Sequence, residues 1–484
     1  MNELFSRRHF VFLGIIALIW FGALNQALYD AWTATVVYLV LTLLIVLQLD
    51  GARRAQTPLK FPALIPWLIW MAAVWASVPR SFDITTSLWE AWDWTFCMAA
   101  FYLTVNSAQA VSAATRATAL KAAGLIVIPL VLIAIEQQLT GAPFGYGVMH
   151  LPLLGAWHYG HWEIHATLIN SIVFSGFLFS WAYLYWPEDA ENALTGWLPF
   201  ACIVVGMLLA RSWTVFGAFL FGGLWCRALG RGGLNTTRWV QLLCVGAVLA
   251  IFVIVWKMHQ PVEGHYYNAS MRLEYWRAAL RMTAAQPLDG IGLGAYGIAF
   301  PFFKHIAGEN SRLAHGLPWQ IMAETGIFGL LAFTALVVRL TIGLRRAAKT
   351  FALWELRLGI TLILLLACSL TTIHFDYFLN KLVVVFFVGL LYAHQPSRLT
   401  LQPRAFTEWI AIPVLLTLTS FWLSLFQAER LFAAGAYVSA LKLNSYAADS
   451  YWELAKREAD PQKKHILQLR AWRSKKDPRY LQPL

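Results

Sequence analysis

Arg272, Arg277 and Arg281, a ladder of closely spaced glycines and His315 gather in one polar stretch, Ser270 to Leu330, of a chain that is otherwise strongly apolar. Arg272, Arg277 and Arg281 lie on a segment with helical spacing. Gly290, Gly292, Gly294 and Gly297 follow a Pro287-Leu-Asp-Gly turn, and His315 stands just before a new apolar helix. Cations, bendable backbone and a base that titrates near neutrality are the parts of a site for a phosphorylated substrate. Arg277 and Arg281, four residues apart, repel each other on a helix unless an anion neutralises them. Lipid headgroups would serve those two as well as a substrate would.

The surroundings of His315 sharpen its role. It sits at the start of a helix, where backbone N–H groups collect, beside Arg312 and ahead of Gln320 and Glu324 on successive turns. Neighbouring cations and the helix N-terminus favour the neutral imidazole, the form that accepts a proton. Arg211 ends an apolar run in LLARSWTVFGAF, where a charge either snorkels to the interface or meets an anion. Gly292-Leu-Gly294-Ala-Tyr296-Gly297 spells G-x-G-x-x-G, but a turn precedes it where a dinucleotide site needs a strand. Those glycines read as a bend that brings the chain to the membrane surface. No D-x-D pair or carboxylate cage stands in the outward segments, so no metal and no cofactor is expected.

The elements that position these residues follow from composition. Of 484 residues 59% are hydrophobic and 13% charged, more apolar surface than a soluble domain hides. The expected fold is an all-α polytopic membrane protein. With about 20 apolar residues per crossing, roughly thirteen spans are expected, near residues 10–28, 31–49, 61–79, 93–107, 119–139, 164–186, 194–210, 213–230, 239–258, 317–339, 353–373, 381–395 and 407–427. The net charge of +12 sits in short clusters between these runs, as the positive-inside rule requires, which argues against nucleic acid. The N-terminus is then cytoplasmic, and residues 140–163, 259–316 and 374–380 face outward. An odd number of spans leaves residues 428–484 outside too. This divides the chain into a membrane domain, 1–427, with its large loop at 259–316, and a tail, 428–484. The tail has helical periodicity broken near Asn444-Ser445 and Asp460-Pro461, like one degenerate tetratricopeptide unit. The five cysteines stand singly in apolar runs and read as packing residues.

Three groups of residues together carry a family resemblance. Arg272-x-x-x-Trp276-x-x-Ala279, then Pro287-x-x-Gly290-x-Gly292-x-Gly294-x-Tyr296, then His315-x-x-x-x-Gln320-x-x-x-Glu324-x-Gly326-x-x-Gly329 resemble the core of the O-antigen ligase and polymerase superfamily. The resemblance covers roughly residues 200 to 335. It implies a GT-C-like bacterial inner-membrane glycosyltransferase that moves a saccharide from undecaprenyl diphosphate to an acceptor in the periplasm. In that family an arginine at the outer end of a span and another in the periplasmic loop handle the diphosphate, and the loop histidine acts near the acceptor. Carried onto this chain, the catalytic roles fall to Arg211, Arg272 and His315. Arg277, Arg281, Arg312, Gln320, Glu324 and Tyr296 remain as candidate substrate-binding residues. Two departures stand out: Gly316 where the family often has Asn, and Ala210 where it often has Ser.

The acceptor is left open by the resemblance: lipid A core for a ligase, another glycan unit for a polymerase, a protein side chain for an O-oligosaccharyltransferase. Polymerase or ligase is the expectation. A transporter of lipid-linked or small polar substrates is the rival from another class, but it would be expected to carry ionisable or broken-helix elements at the membrane midplane. A scaffold for envelope assembly would need none of the three residues.

Overall fold

The computed structural model of the protein describes residues 7–28, 31–140, 147–151, 155–159, 166–168, 170–186, 193–230, 269–305, 310–372, 374–393, 395, 397, 399–402 and 405–481. Helices stand at each expected apolar run except 239–258, which lies outside the described residues. In chain order they are α1 (Arg7–Leu24), α2 (Ala31–Arg54), α3 (Leu64–Ser77), α4 (Ile84–Ala108), α5 (Ala113–Gly124), α6 (Val127–Thr140), α7 (Ser171–Ala182), α8 (Ala193–Leu209), α9 (Trp213–Gly230), α10 (Ala269–Ala285), α11 (Tyr296–Phe303), α12 (Leu317–Ala347), α13 (Leu353–Ser369), α14 (Phe378–Tyr392), α15 (Ala405–Ala433), α16 (Tyr437–Leu443), α17 (Ala448–Arg457) and α18 (Pro461–Ser474).

Local sequence sets the helix starts. Asp83 Oδ1 accepts the Thr86 N–H at 3.1 Å ahead of α4, Ser112 caps α5, Asn170 caps α7, and Asp460 with Pro461 opens α18. Among the described residues four segments are long and apolar enough to cross a bilayer: Arg7–Leu24, Trp32–Arg54, Ala113–Leu139 and Leu317–Thr350. Leu64–Ser77, Ser171–Tyr185, Trp197–Leu209 and Phe378–Tyr392 are shorter apolar helices. Large apolar side chains lie on the outside of several helices, among them Ile65, Leu132, Leu139 and Leu331. Water does not tolerate such faces in bulk, whereas lipid does. The chain is a helical protein with the apolar exterior of a membrane protein.

Strands are few. β1 (Leu59–Lys60) pairs antiparallel with β4 (Thr400–Leu401), and β2 (Gly147–Leu151) pairs antiparallel with β3 (Gly155–Tyr159), Gly147 opposite Tyr159. The second ribbon falls in a segment that hydropathy alone presents as an outward loop.

The chain forms two compact units. The first comprises Met1–Ala34, Ala100–Glu263 and Gly343–Pro396. In it α6 packs on α8, α9 on α13 and α1 on α14, with Phe12 and Phe386 ring centroids 6.0 Å apart and Trp181 edge-on to Phe387 at 5.1 Å. The second comprises Thr35–Ala99, Gly264–Ile342 and Ser397–Leu484. One hydrophobic core of this unit is built from the polar stretch itself: Tyr275, Ala278, Ala279, Met282, Ile291, Tyr296, Ala299, Phe300, Ala314 and Ala323. The tail helices belong to this unit and have a small core of their own around Trp452, Ala471 and Tyr480.

Candidate active site

Within the second unit, α10 is amphipathic at helical spacing. Tyr275, Ala278, Ala279 and Met282 form the buried stripe, and the three arginines are distributed around it. Arg272 precedes Tyr275 and Trp276 and is partly buried; Arg277, five residues on and so about 140° around the helix, is exposed. Arg281 donates from Nε to the Phe303 carbonyl at 2.5 Å and pairs with buried Glu274. Glu274 also accepts the His305 N–H at 2.9 Å. Burial alone would raise the Glu274 carboxyl, but the His305 N–H and Arg281 outweigh it and hold it below its ordinary value. The structure therefore parts the three cations: Arg281 locks α10 to the end of α11, Arg277 faces out, and Arg272 lies toward His315.

His315 occupies the turn before α12 with φ 52, a left-handed conformation that is uncommon for a residue with a Cβ. The turn is fixed from below. Gln320 Oε1 accepts the Ala314 N–H at 2.6 Å, and the Gln320 N–H donates to the Gly316 carbonyl at 3.0 Å. The imidazole lies nearly parallel to the Tyr275 ring, centroids 5.3 Å apart and planes 25° apart. Burial and then the charge of Arg272 push His315 down to about 4 from its usual 6.5. The imidazole is thus neutral near pH 7, through burial first and Arg272 second rather than through the helix start and Arg312. Among the described residues no hydrogen bond ties its ring nitrogens. Arg272 is itself disfavoured as a cation by burial, with Tyr275 acting in the opposite direction.

Gln320 and Glu324 are both buried and connect three segments. Gln320 Nε2 donates to Glu324 Oε1 at 2.6 Å, and the same oxygen accepts the Tyr296 N–H at 3.2 Å. Tyr296 is buried in turn, and its hydroxyl donates to the Tyr275 carbonyl at 2.7 Å. These three side chains hold the histidine turn, the start of α11 and the middle of α10 in one register. Arg312 is exposed on the segment leading to His315, its backbone against Gly297.

The glycines bring backbone to backbone. A Cβ on Gly290 would collide with the main chain of Glu324, and one on Gly326 with the main chain of Leu288, while both have positive φ, 69° and 70°. Gly326 breaks the helical conformation of α12 with ψ −172, and there the Ile327 N–H reaches the Pro287 carbonyl at 2.8 Å. The Gly290–Gly297 bend is thus pressed against α12 and the start of α4.

Arg211 belongs to the first unit. It is the exposed middle of the tight turn between α8 and α9, also left-handed at φ 52, with its N–H on the Leu208 carbonyl at 3.1 Å. Sequence inspection missed Tyr275, Glu274 and Asp83. Glu274 lies seven residues before Arg281, two helical turns, and that spacing of opposite charges was the available signal. Nothing in the sequence marks Tyr275 as the ring that carries His315.

No curated protein gives a significant match to the chain. The family model described as O-antigen ligase matches residues 198–334, an interval that contains Arg211, α10, the glycine bend, His315 and Glu324.

Proposed function

We propose that the protein is a metal-independent, inverting glycosyltransferase, an O-antigen or exopolysaccharide polymerase or ligase acting at the periplasmic face of the inner membrane. Its donor is a saccharide on undecaprenyl diphosphate and its acceptor a glycan. What carries the reading is the pairing of a neutral, unprotonated His315 with the neighbouring cation Arg272 inside an O-antigen ligase domain. A base without a fixed proton and a desolvated guanidinium are the two functions that glycosyl transfer from a lipid diphosphate needs.

In the reaction, an acceptor hydroxyl oxygen attacks the anomeric carbon in line with the bond to the diphosphate. His315 takes the hydroxyl proton as the new C–O bond forms. The old C–O bond breaks with its electron pair on the diphosphate, whose growing charge Arg272 neutralises. A single displacement inverts the anomeric configuration. Arg211 is the second cation that the family resemblance assigns to the diphosphate. Gln320, Glu324 and Tyr296 act through the positions of the histidine turn and α11, and Arg277 and Arg312 are exposed cations for the anionic substrate or lipid.

The test is transfer from purified lipid-linked donor by the detergent-solubilised full chain, comparing wild type with Arg211→Ala, Arg272→Ala and His315→Ala, with and without chelator. Loss of transfer in each variant and indifference to EDTA are expected. Abolition by EDTA that magnesium restores, or full activity in His315→Ala, would refute the mechanism.

A further inference from the structure

The C-terminal tail reaches the candidate site through main-chain hydrogen bonds. The Lys476 N–H donates to the Phe82 carbonyl at 2.6 Å, the Phe82 N–H to the Ile291 carbonyl at 2.8 Å, and the Ile291 N–H to the Ala323 carbonyl at 2.9 Å. Four segments distant in sequence, the tail, the connector ahead of α4, the glycine bend and α12, are thereby joined in a row. Side chains reinforce it. Lys475 pairs with Asp83 at 3.2 Å, in a pair whose side chains are 19% and 7% exposed, and the two residues form an isolated antiparallel bridge. Ser87 donates to the Leu293 carbonyl at 2.5 Å, and the Gly292 N–H donates to the Glu324 carbonyl at 3.0 Å. At the far end, Gln320, one turn before Glu324, holds the Ala314 N–H next to His315.

We infer that Lys475 and Asp83 are positioning residues: the tail is the outer strip of the backbone row that sets the glycine bend and the histidine turn, and is no detachable appendage. The physical reason is cooperative. A main-chain group in the middle of such a row is held more firmly when both neighbours are bonded, and Phe82 bonds the tail on one side and the bend on the other. The glycines leave the bend's own chain conformationally free, so it depends on these bonds to neighbouring segments for its shape. Releasing the tail frees the Phe82 carbonyl to water and loosens the Phe82–Ile291 bond, which lets the bend and then the α12 start move. The consequence for transfer rests on the proposed function, while the mechanical coupling does not.

Hydrogen–deuterium exchange on the full-length protein in detergent tests the coupling. Lys475→Gln removes the ion pair. Asp83→Asn removes the charge yet keeps an oxygen to cap Thr86, and Lys476→Pro removes the N–H to Phe82, with Lys476→Ala as its control. Exchange at residues 289–296 and 314–324 is expected to rise on the order of tenfold in Lys475→Gln, Asp83→Asn and Lys476→Pro, and to return to the wild-type rate in Lys475→Arg. Faster exchange confined to residues 461–481 would overturn the inference, as would unchanged exchange throughout. Transfer assays on the same samples are expected to show reduced kcat with little change in the donor KM. If the wild type transfers no glycan, the proposed function falls and the exchange pattern alone decides the coupling.

Discussion

The His315 imidazole lies against the Tyr275 ring, centroids 5.3 Å apart, on the side of α10 from which the charge of Arg272 reaches it. This arrangement makes the histidine neutral at the cost of basicity, and a base near 4 removes a hydroxyl proton poorly. Under the proposed function, a diphosphate bound at Arg272 would cancel the smaller of the two causes that depress His315, burial being the larger, and would add negative charge of its own, so the base would strengthen when substrate is present.

The expected pH dependence follows. The acid limb of kcat/KM, which reports the free enzyme, falls near 4, and the acid limb of kcat, which reports the complex, falls at higher pH. Arg272→Ala should move the first limb upward only in part, because burial is the larger cause and remains. Stability has a matching sign. The folded value lies below the unfolded one, so the unfolded chain binds the proton first; the contribution of neutral His315 is complete above about 6.5 and is lost as pH falls toward 4. Full pH–rate profiles with both parameters check this, and coincident limbs would remove the substrate-strengthened base.

The arginines of α10 should separate by experiment. Arg272→Ala is expected to lower kcat/KM by roughly a hundredfold or more, as loss of a donor to a developing anion does. Arg272→Lys should recover only part of it, because an ammonium lacks the planar fork. Arg281→Ala instead leaves buried Glu274 short of a partner, and should cost about 1–3 kcal/mol of stability with a smaller effect on the rate of molecules that remain folded. Arg277→Ala should be near neutral for stability. Thermal unfolding in detergent beside the transfer assay reads both; an Arg281 variant as slow as the Arg272 variant but fully stable would reverse the assignment.

Gly326→Ala tests the close approach of the bend to α12. Its conformation, φ 70 and ψ −172, is open essentially to glycine alone, and the new methyl would meet the Leu288 main chain. Strain of this kind costs about 1–3 kcal/mol before the collision is added. A lowered unfolding midpoint is expected, with faster exchange at residues 287–292. Wild-type stability would show that the two segments do not press together in solution.

Much of this was legible in the sequence, for identifiable reasons. Apolar runs specify helices because lipid-facing and core-facing residues are both apolar, so α1, α2 and α12 fall where hydropathy puts them. The neutral histidine was expected from Arg312 and the start of α12, but the causes in the structure are burial, which a sequence does not show, and Arg272, forty-three residues away. Hydropathy does not measure length well enough to separate a short apolar helix such as Leu64–Ser77 from a full crossing. The division of labour among the arginines was hidden, because helical phase decides it and three cations in one helix look alike in a list. Partners distant in sequence were hidden too: nothing adjacent to Asp83 points to Lys475, and nothing near Gly326 points to Leu288. The glycine ladder was read as a surface bend because sequence shows that backbone can approach something, but not what.

Orientation is the last expectation, and α12 supplies its geometry. The segment Leu317–Thr350 has 34 residues, and its helical part beyond the break at Gly326, residues 327–347, at about 1.5 Å per residue still matches a hydrocarbon layer of about 30 Å. His315 stands just before its start, while Arg345, Arg346 and Lys349 stand at its end, the side that the positive-inside rule assigns to the cytoplasm. If the helix crosses, the histidine and these cations are on opposite faces. In a cysteine-free background, single cysteines at exposed Leu288 and Arg470 should therefore react with an impermeant thiol reagent in intact spheroplasts, and cysteines at Gln56 and Lys349 should react only after permeabilisation. Labelling at Lys349 without labelling at Leu288 would put His315 in the cytoplasm, where a periplasmic acceptor never meets it, and the proposed reaction would fail with it.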